Sequence, residues 1–128
     1  MSKKDFIYDH HIVSLFPPVA DAFAGGIDSD VICLRDYRRA TCVIHTGAIE
    51  DTAISNLITV LACTDAAKAG ATAIAFHRRF VVGSTSDDSI EALAAATSSG
   101  YNFADRADAA ANNLWIIEVT AAEIQAGV

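Results

Sequence analysis

Leu114-Trp115-Ile116-Ile117-Glu118-Val119 is the clearest strand pattern in the chain, and it decides the fold class. Successive side chains of a strand point to opposite faces, so Trp115, Ile117 and Val119 share one face. Leu114, Ile116 and Glu118 share the other face. The pattern predicts a strand here and, together with the runs that precede it, a β-rich domain.

Further β-rich runs precede this strand, and turn residues separate them. Residues 31–34 and 40–46 flank the polar segment 36–39, which predicts a β-hairpin, although no Asn-Gly or Asp-Gly marks its turn. Residues 54–63 predict a third strand with apolar groups on both faces. Residues 71–80 alternate bulky residues with alanine, and residues 101–103 predict a brief strand.

Two or three short segments have helical features. Residues 64–70 fit one helical turn before a glycine, and Thr120 can cap a short helix over residues 121–126. Residues 87–97 fit either a helix or a strand, because alanine, leucine and glutamate favour helix while the short length and flanking turns allow a strand. These features predict one or two short helices.

The amino-terminal 29 residues differ from the rest of the chain. They contain Pro17-Pro18 and Gly25-Gly26 and show no sustained period of 2 or 3.6 residues. Paired prolines favour extended backbone, so this region is interpreted as an extended arm over residues 1–29. The expected fold is mainly β: a single-domain antiparallel β-sandwich or barrel-like fold over residues 30–128, with the arm and one or two short helices.

Composition and charge exclude several classes of function. The chain has 128 residues, of which 52% are hydrophobic and 20% charged, as expected for a folded domain. The net charge is −7, and Arg106 is the only basic residue after Gly83, which argues against general nucleic-acid binding. Neither a secretory signal nor an apolar run long enough to span a membrane is present, so a cytoplasm-like compartment is expected.

Three cysteines, Cys33, Cys42 and Cys63, lie in apolar runs without the C-x-x-C spacing of zinc or redox sites. They are interpreted as buried free thiols. In the predicted hairpin Cys33 faces Cys42, so a cross-strand disulfide is geometrically conceivable, but a reducing compartment disfavours it.

Catalytic and cofactor-binding motifs are not found. The glycines fit neither the P-loop nor the dinucleotide-binding pattern, and the chain lacks G-x-S-x-G and H-E-x-x-H. Adjacent His10 and His11 on an extended arm point apart and do not easily share one metal ion. His45 and His77 lie at strand ends and are interpreted as structural. The sequence predicts a protein that is not an enzyme and has no cofactor and no metal.

Two sets of residues are candidates for contacts with other proteins. The arm carries apolar side chains that need cover from this domain or from a neighbour, and arginines lie at the predicted hairpin turn and between Phe76 and Phe80. Arginine makes bidentate contacts with acidic groups, and the acidic second half of another copy is a natural partner for it. The candidate contact residues are Phe6, Ile7, Tyr8, Ile12, Val13, Leu15, Phe16, Arg35, Arg38, Arg39, Arg78 and Arg79.

The order of these patterns resembles that of small virion-associated proteins encoded by tailed bacteriophages and prophages. The resemblance covers residues 29–124 and is carried by Ser29 to Tyr37, Val43 to Gly47, Thr59 to Ala66, Ala73 to Phe76, Ser86 to Leu93 and Trp115 to Ile124. The family pattern continues into a further strand after the Trp115 strand. In this chain, which ends at Val128, the arm is the candidate cover for the sheet edge left open.

The resemblance implies a virion protein assembled in the host cytoplasm, with capsid decoration, or cement, as its leading role. It implies contacts with the major capsid protein or other virion proteins and a homo-oligomer, with a trimer as one option. The alternatives are a head–tail connector or tail component present in few copies, a ligand-binding or enzymatic β-barrel with Arg78, Arg79 and His77 in its pocket, and a host-facing binding module.

Overall fold

The computed structural model describes residues 6–20, 26–46, 57–81, 92–102 and 113–128, without the side chains of Ile7 and Asn113. The chain divides into two compact units, Met1–Ile32 and Cys33–Val128. Of the described residues, 42% lie in strands and 12% in helix, and all strand pairs are antiparallel. The predicted mainly-β class is confirmed, whereas the predicted domain boundary after residue 29 stays a prediction.

In its described part, the first unit contains one helical turn, α1, at Phe6–Asp9. His10 ends this turn, because its Nδ1 lies 2.9 Å from the Phe6 carbonyl oxygen and donates to it, and the two rings stack at 4.3 Å. Residues 10–15 contain neither helix nor strand. The predicted extended arm is therefore wrong at Phe6–Asp9, where the backbone is helical.

The second unit contains eight strands and one helix in its described part. The strands are β1 (Arg39–Thr46), β2 (Leu57–Ile58), β3 (Val60–Ala62), β4 (Thr72–Ile74), β5 (Phe76–Val81), β6 (Ala94–Ala96), β7 (Tyr101–Asn102) and β8 (Asn113–Thr120). A helix, α2 (Ala121–Gly127), follows β8 directly. The main sheet has the strand order β1-β8-β5-β6, and β2–β7 and β3–β4 form two small sheets.

The predicted strand is confirmed as β8, which lies in the main sheet between β1 and β5. Trp115, Ile117 and Val119 share one face, as the alternation predicts, and the structure shows that this face is buried, with Trp115 1% exposed. The helix after β8 is also confirmed. Thr120 accepts a hydrogen bond from the Glu123 backbone N–H at 3.3 Å, and a Glu123 carboxylate oxygen accepts from the Thr120 N–H at 2.7 Å, which completes a capping box.

We call the buried side of the main sheet the inner face. Directly paired residues share a face, so the register places here Ala40, Cys42, Ile44, Thr46, Phe76, Arg78, Phe80, Ala94, Ala96, Trp115, Ile117 and Val119. Ile58, Val60 and Tyr101 pack against the cluster of Phe76 and Ile117. Val119 packs with Ala62 and Ile74, and Ile124 of α2 packs against this second cluster. The small sheets and α2 therefore supply the core contacts of the inner face.

Several strand predictions differ from the structure. The hairpin of residues 31–34 with 40–46 is wrong, because residues 31–34 form no strand and β1 pairs with β8. Residues 57–62 form two short strands whose Leu57 and Leu61 are exposed, so only one of their faces is covered. Residues 54–56 lie outside the described part of the chain.

Local turns explain two further differences. Residues 64–70 form a hydrogen-bonded turn instead of a helical turn, because the Asp65 carboxylate accepts from the N–H groups of Ala67 and Ala69. The ambiguous segment 87–97 is a strand at Ala94–Ala96, and residues 87–91 lie outside the described residues. The brief strand at residues 101–103 is confirmed as β7 for its first two residues.

Candidate interaction surfaces

The side of the main sheet opposite the core, which we call the outer face, mixes charged and apolar residues. The register places here Arg39, Thr41, Val43, His45, His77, Arg79, Val81, Ala95, Leu114, Ile116 and Glu118. Val43 is 61% exposed, while Leu114 and Ile116 are half-buried. A partly apolar, partly charged sheet face has the composition of a protein interface.

An ion pair and a histidine–carboxylate contact lie at the outer face. The Arg39 guanidinium lies 3.2 Å from a Glu118 carboxylate oxygen, and His77 Nδ1 lies 3.4 Å from a Glu123 carboxylate oxygen. All four side chains are at least partly exposed, so each pair contributes little to stability. The pairs instead fix the positions of these side chains on the surface.

The candidate arginines do not share one surface. Arg78 and Arg79 are adjacent on β5 and therefore point to opposite faces of the sheet. Arg78 lies on the inner face with its guanidinium carbon 3.7 Å from the centre of the Tyr101 ring, a cation–π contact. Arg79 lies on the outer face, where Arg39 already pairs with Glu118. Arg78 is thereby engaged within the domain, and the outer-face arginines remain candidates for external contacts.

Three aromatic rings stack on the inner face, and one of them, Tyr101, contacts Arg78. The rings of Phe80 and Trp115 stack at 4.2 Å, and Tyr101 is tilted against Trp115 at 5.9 Å. The Trp115 indole N–H donates to the Thr46 hydroxyl oxygen at 3.2 Å. Because the tryptophan is fully buried and bonded, this stack holds β1, β5, β7 and β8 together rather than offering a binding surface.

The free edge of β1 is a surface that the sequence patterns did not reveal. The Ala121 N–H donates to the Arg38 carbonyl oxygen at 2.8 Å, and this pair continues the register of β1 with β8. Hydrogen-bonded pairs alternate along an antiparallel ladder, so the even-numbered residues of β1 bond to β8. The backbone N–H and C=O groups of Thr41, Val43 and His45 consequently point to the other edge, where no described residue pairs with them.

The first unit exposes a series of large apolar side chains. Tyr8 is 87% exposed and Ile12 is 65% exposed, while Leu15 and Phe16 are half-buried. The other large apolar side chains exposed in this unit are Phe6, Val13, Val19, Ile27, Val31 and Ile32. The side chain of Ile7 lies outside the description. Such a concentration of exposed apolar area is typical of a segment that contacts another surface.

A shallow depression lies where residues 34–37 meet α2. Its volume is about 340 Å³, and it is lined by Leu34, Arg35, Tyr37, Ala121, Ile124 and Gln125. Arg35 lies in the turn that the Tyr37 N–H closes by donating to the Leu34 carbonyl oxygen at 3.2 Å, and it lines this depression beside the helix. Within the described ranges, no group of three or more His, Cys, Asp or Glu residues is arranged to hold a metal ion.

All three cysteines are free, as expected, but the prediction that they are buried is wrong for Cys33, which is exposed. Cys42 and Cys63 are half-buried, and Cys42 pairs across the sheet with Ile117, not with Cys33. Burial raises the pKa of the Cys42 thiol above its ordinary value of 9.0, because desolvation disfavours the thiolate. Cys42 therefore stays protonated at neutral pH, unlike a nucleophilic cysteine.

None of the helices in the described part of the chain has the length and apolar character to cross a bilayer.

No protein-family model, curated protein or solved structure matches this chain. Its own surfaces therefore carry the evidence for its function. Of these, the arm was anticipated from its apolar residues, whereas the free edge depends on a strand pairing that joins residues far apart in the sequence.

Proposed function

We propose that this protein is a non-enzymatic structural protein of a phage particle, and that it decorates the capsid by binding across contacts between major capsid subunits. The exposed apolar series of the first unit, from Phe6 to Ile32, is the observation that carries this proposal. Burying one such side chain fully contributes about 1.5–3 kcal/mol. Several of them supply enough free energy to anchor a small domain to a larger assembly.

The second unit has a fold that fits a protein present in many copies on a capsid. Core contacts of β2, β3, β7 and α2 with the inner face support a sandwich-like arrangement of two layers, which we propose as the finer fold. Such a two-layer domain can hold the strands of the outer face in one arrangement. A modest interface repeated around each symmetry axis then stabilises the shell additively and requires no active site.

Charge also favours a protein partner. The chain carries a net charge of −7, so a shell surface that binds it is expected to offer basic groups to its acidic second half. The exposed Arg38 and the outer-face Arg79 can make charge-assisted contacts with acidic groups of the same shell. We propose the virion, assembled in the host cytoplasm, as the location of this protein.

Quantitative mass spectrometry of purified particles from the source tests this function. Copy numbers close to that of the major shell subunit are expected for decoration. A few copies per particle would instead indicate a connector or tail component. Complete absence from particles would refute the virion role and favour a ligand-binding or enzymatic barrel, for which the depression beside α2 is the candidate pocket.

Binding of purified protein to undecorated shells tests the arm. Tyr8→Ser is expected to weaken binding, because Tyr8 is an exposed side chain of the arm that lies outside residues 10–16. Leu61→Ser is the matched control, since Leu61 is also exposed but lies on β3 in the second unit. Equal loss of binding in both variants would contradict the role of the arm.

A further inference from the structure

The free edge of β1 has the properties of a strand-addition site. It is eight residues long and contains no proline or lysine, the residues that often protect exposed edges. Only its first residue, Arg39, carries a full charge. The other edge of the main sheet, β6, has three residues and offers far less backbone.

Residues 10–16 of the first unit have the complementary properties. The Leu15 carbonyl oxygen accepts a hydrogen bond from the Asp30 N–H at 3.0 Å. Ile12, Ser14 and Phe16 lie in a segment that contains neither helix nor strand. None of these three residues has a backbone partner among the described residues.

We propose that residues 10–16 of one copy of this chain add as a strand to the free edge of β1 in a second copy. Charge favours one direction: a parallel strand brings the exposed Asp9, which directly precedes the segment, beside the exposed Arg39 at the start of β1, where Arg39 also contacts Glu118. The same register places Ile12 beside Cys42 and Val13 beside Val43. Phe16 then lies beside Thr46.

This register agrees with the hydrogen-bonding sides and with both sheet faces. A residue of a parallel strand bonds to the two residues that flank its neighbour. Ile12 therefore accepts from the Val43 N–H and donates to the Thr41 carbonyl oxygen, and both of these groups point to the free edge. Ile12 lies on the inner face, where Cys42 is only half-buried, and Val13 covers the exposed Val43 on the outer face.

The contact is heterologous, because an arm binds a different surface on its neighbour. Such contacts close into a ring or, when two arms exchange, into a dimer. The proposal does not depend on the virion role, since it concerns only two copies of this chain.

Light scattering after size-exclusion chromatography, over a wide range of protein concentration, tests the edge. The unaltered chain is expected to form a discrete oligomer, and Val43→Pro is expected to shift it to monomer. Proline removes the N–H that points to the free edge and leaves the bonds of β1 to β8 in place. Val43→Thr keeps both the N–H and the β-branched shape, so it should keep the oligomer.

Folding of the variants is checked separately by the cooperative urea unfolding of each, followed by Trp115 fluorescence. A folded Val43→Pro variant with an unchanged oligomer would overturn docking at this edge. A monomeric unaltered chain at every concentration would overturn the proposal as well.

Cysteine cross-linking tests the occupant and its register. Ile12→Cys places a thiol beside the native Cys42 of the neighbour, so mild oxidation should give a covalent dimer on a non-reducing gel. Val13→Cys is the control, because its side chain lies on the opposite face from Cys42. An internally cross-linked monomer would show that the arm folds onto its own sheet, and equal cross-linking of both variants would overturn the parallel register.

Discussion

Gly100 lies in the turn between β6 and β7, and its replacement by alanine has an outcome that the structure predicts sharply. Gly100 has a φ angle of +92°, and an added Cβ atom would lie 2.8 Å from Thr59 Cγ2 and 2.9 Å from the Ile58 carbonyl oxygen. Contacts this short require neighbouring atoms to move. Because one of the neighbours is backbone, a side-chain rotation cannot relieve both contacts.

Gly70 provides a matched control. Its φ angle is also positive, at +61°, but an added Cβ atom would meet no atom within 4 Å. Alanine with positive φ costs about 1–2 kcal/mol at either position. The reduced freedom of the unfolded chain offsets about 0.4–1 kcal/mol of this cost. The crowding at Gly100 adds about 1–3 kcal/mol.

Gly70→Ala should therefore lower the free energy of unfolding by about 0–1.6 kcal/mol, and Gly100→Ala by about 1–3 kcal/mol more than that. Urea unfolding followed by the fluorescence of Trp115, the single tryptophan, measures both values. Thr59→Ser in the Gly100→Ala background should recover part of the loss, because it removes Cγ2 but leaves the Ile58 oxygen. Equal values for the two alanine variants would refute the close approach of β2 to this turn.

The remaining predictions concern the cap, the aromatic stack and the thiols. Thr120→Ala should lower the free energy of unfolding by about 1 kcal/mol through loss of the capping box, whereas Thr120→Ser should not. Trp115→Phe should lower the free energy of unfolding more than Thr46→Val does, because Thr46→Val removes the hydrogen bond of about 1 kcal/mol but keeps the ring packing. Urea unfolding followed by circular dichroism measures both values. Maleimide should label Cys33 faster than Cys42, as peptide mapping would show, and equal rates would contradict the difference in exposure. The pKa of Cys42 is raised in the folded chain, so the unfolded chain loses this thiol proton at lower pH than the folded chain. The stability contributed by the neutral thiol is therefore lost as pH rises above about 9. Cys42→Ala should flatten this part of the curve of unfolding free energy against pH.

The sequence by itself determined the features that depend on a few neighbouring residues. Alternation over residues 114–119 identified β8 and its buried face, because the side-chain period of a strand is two wherever the strand lies. Thr120 and Glu123 identified the start of α2, because a capping box uses only groups within one turn. The mainly-β class followed from the number of such patterns.

Tertiary structure alone decided which strands pair and which surfaces remain open. Residues 31–34 have the composition of a strand but form none, and residues 39–46 pair instead with β8, which lies far along the sequence. No local pattern encodes which strands pair, because the free energy of pairing arises from the burial that Cys42, Ile117 and their neighbours share. The opposite placement of Arg78 and Arg79 follows from the strand period, and Arg78 faces inward because it shares a strand face with the buried Phe76 and Phe80. The edge of β1 that has no partner among the described residues likewise follows from the bonds of its even-numbered residues to β8, and a residue type carries no information about the side on which its backbone bonds.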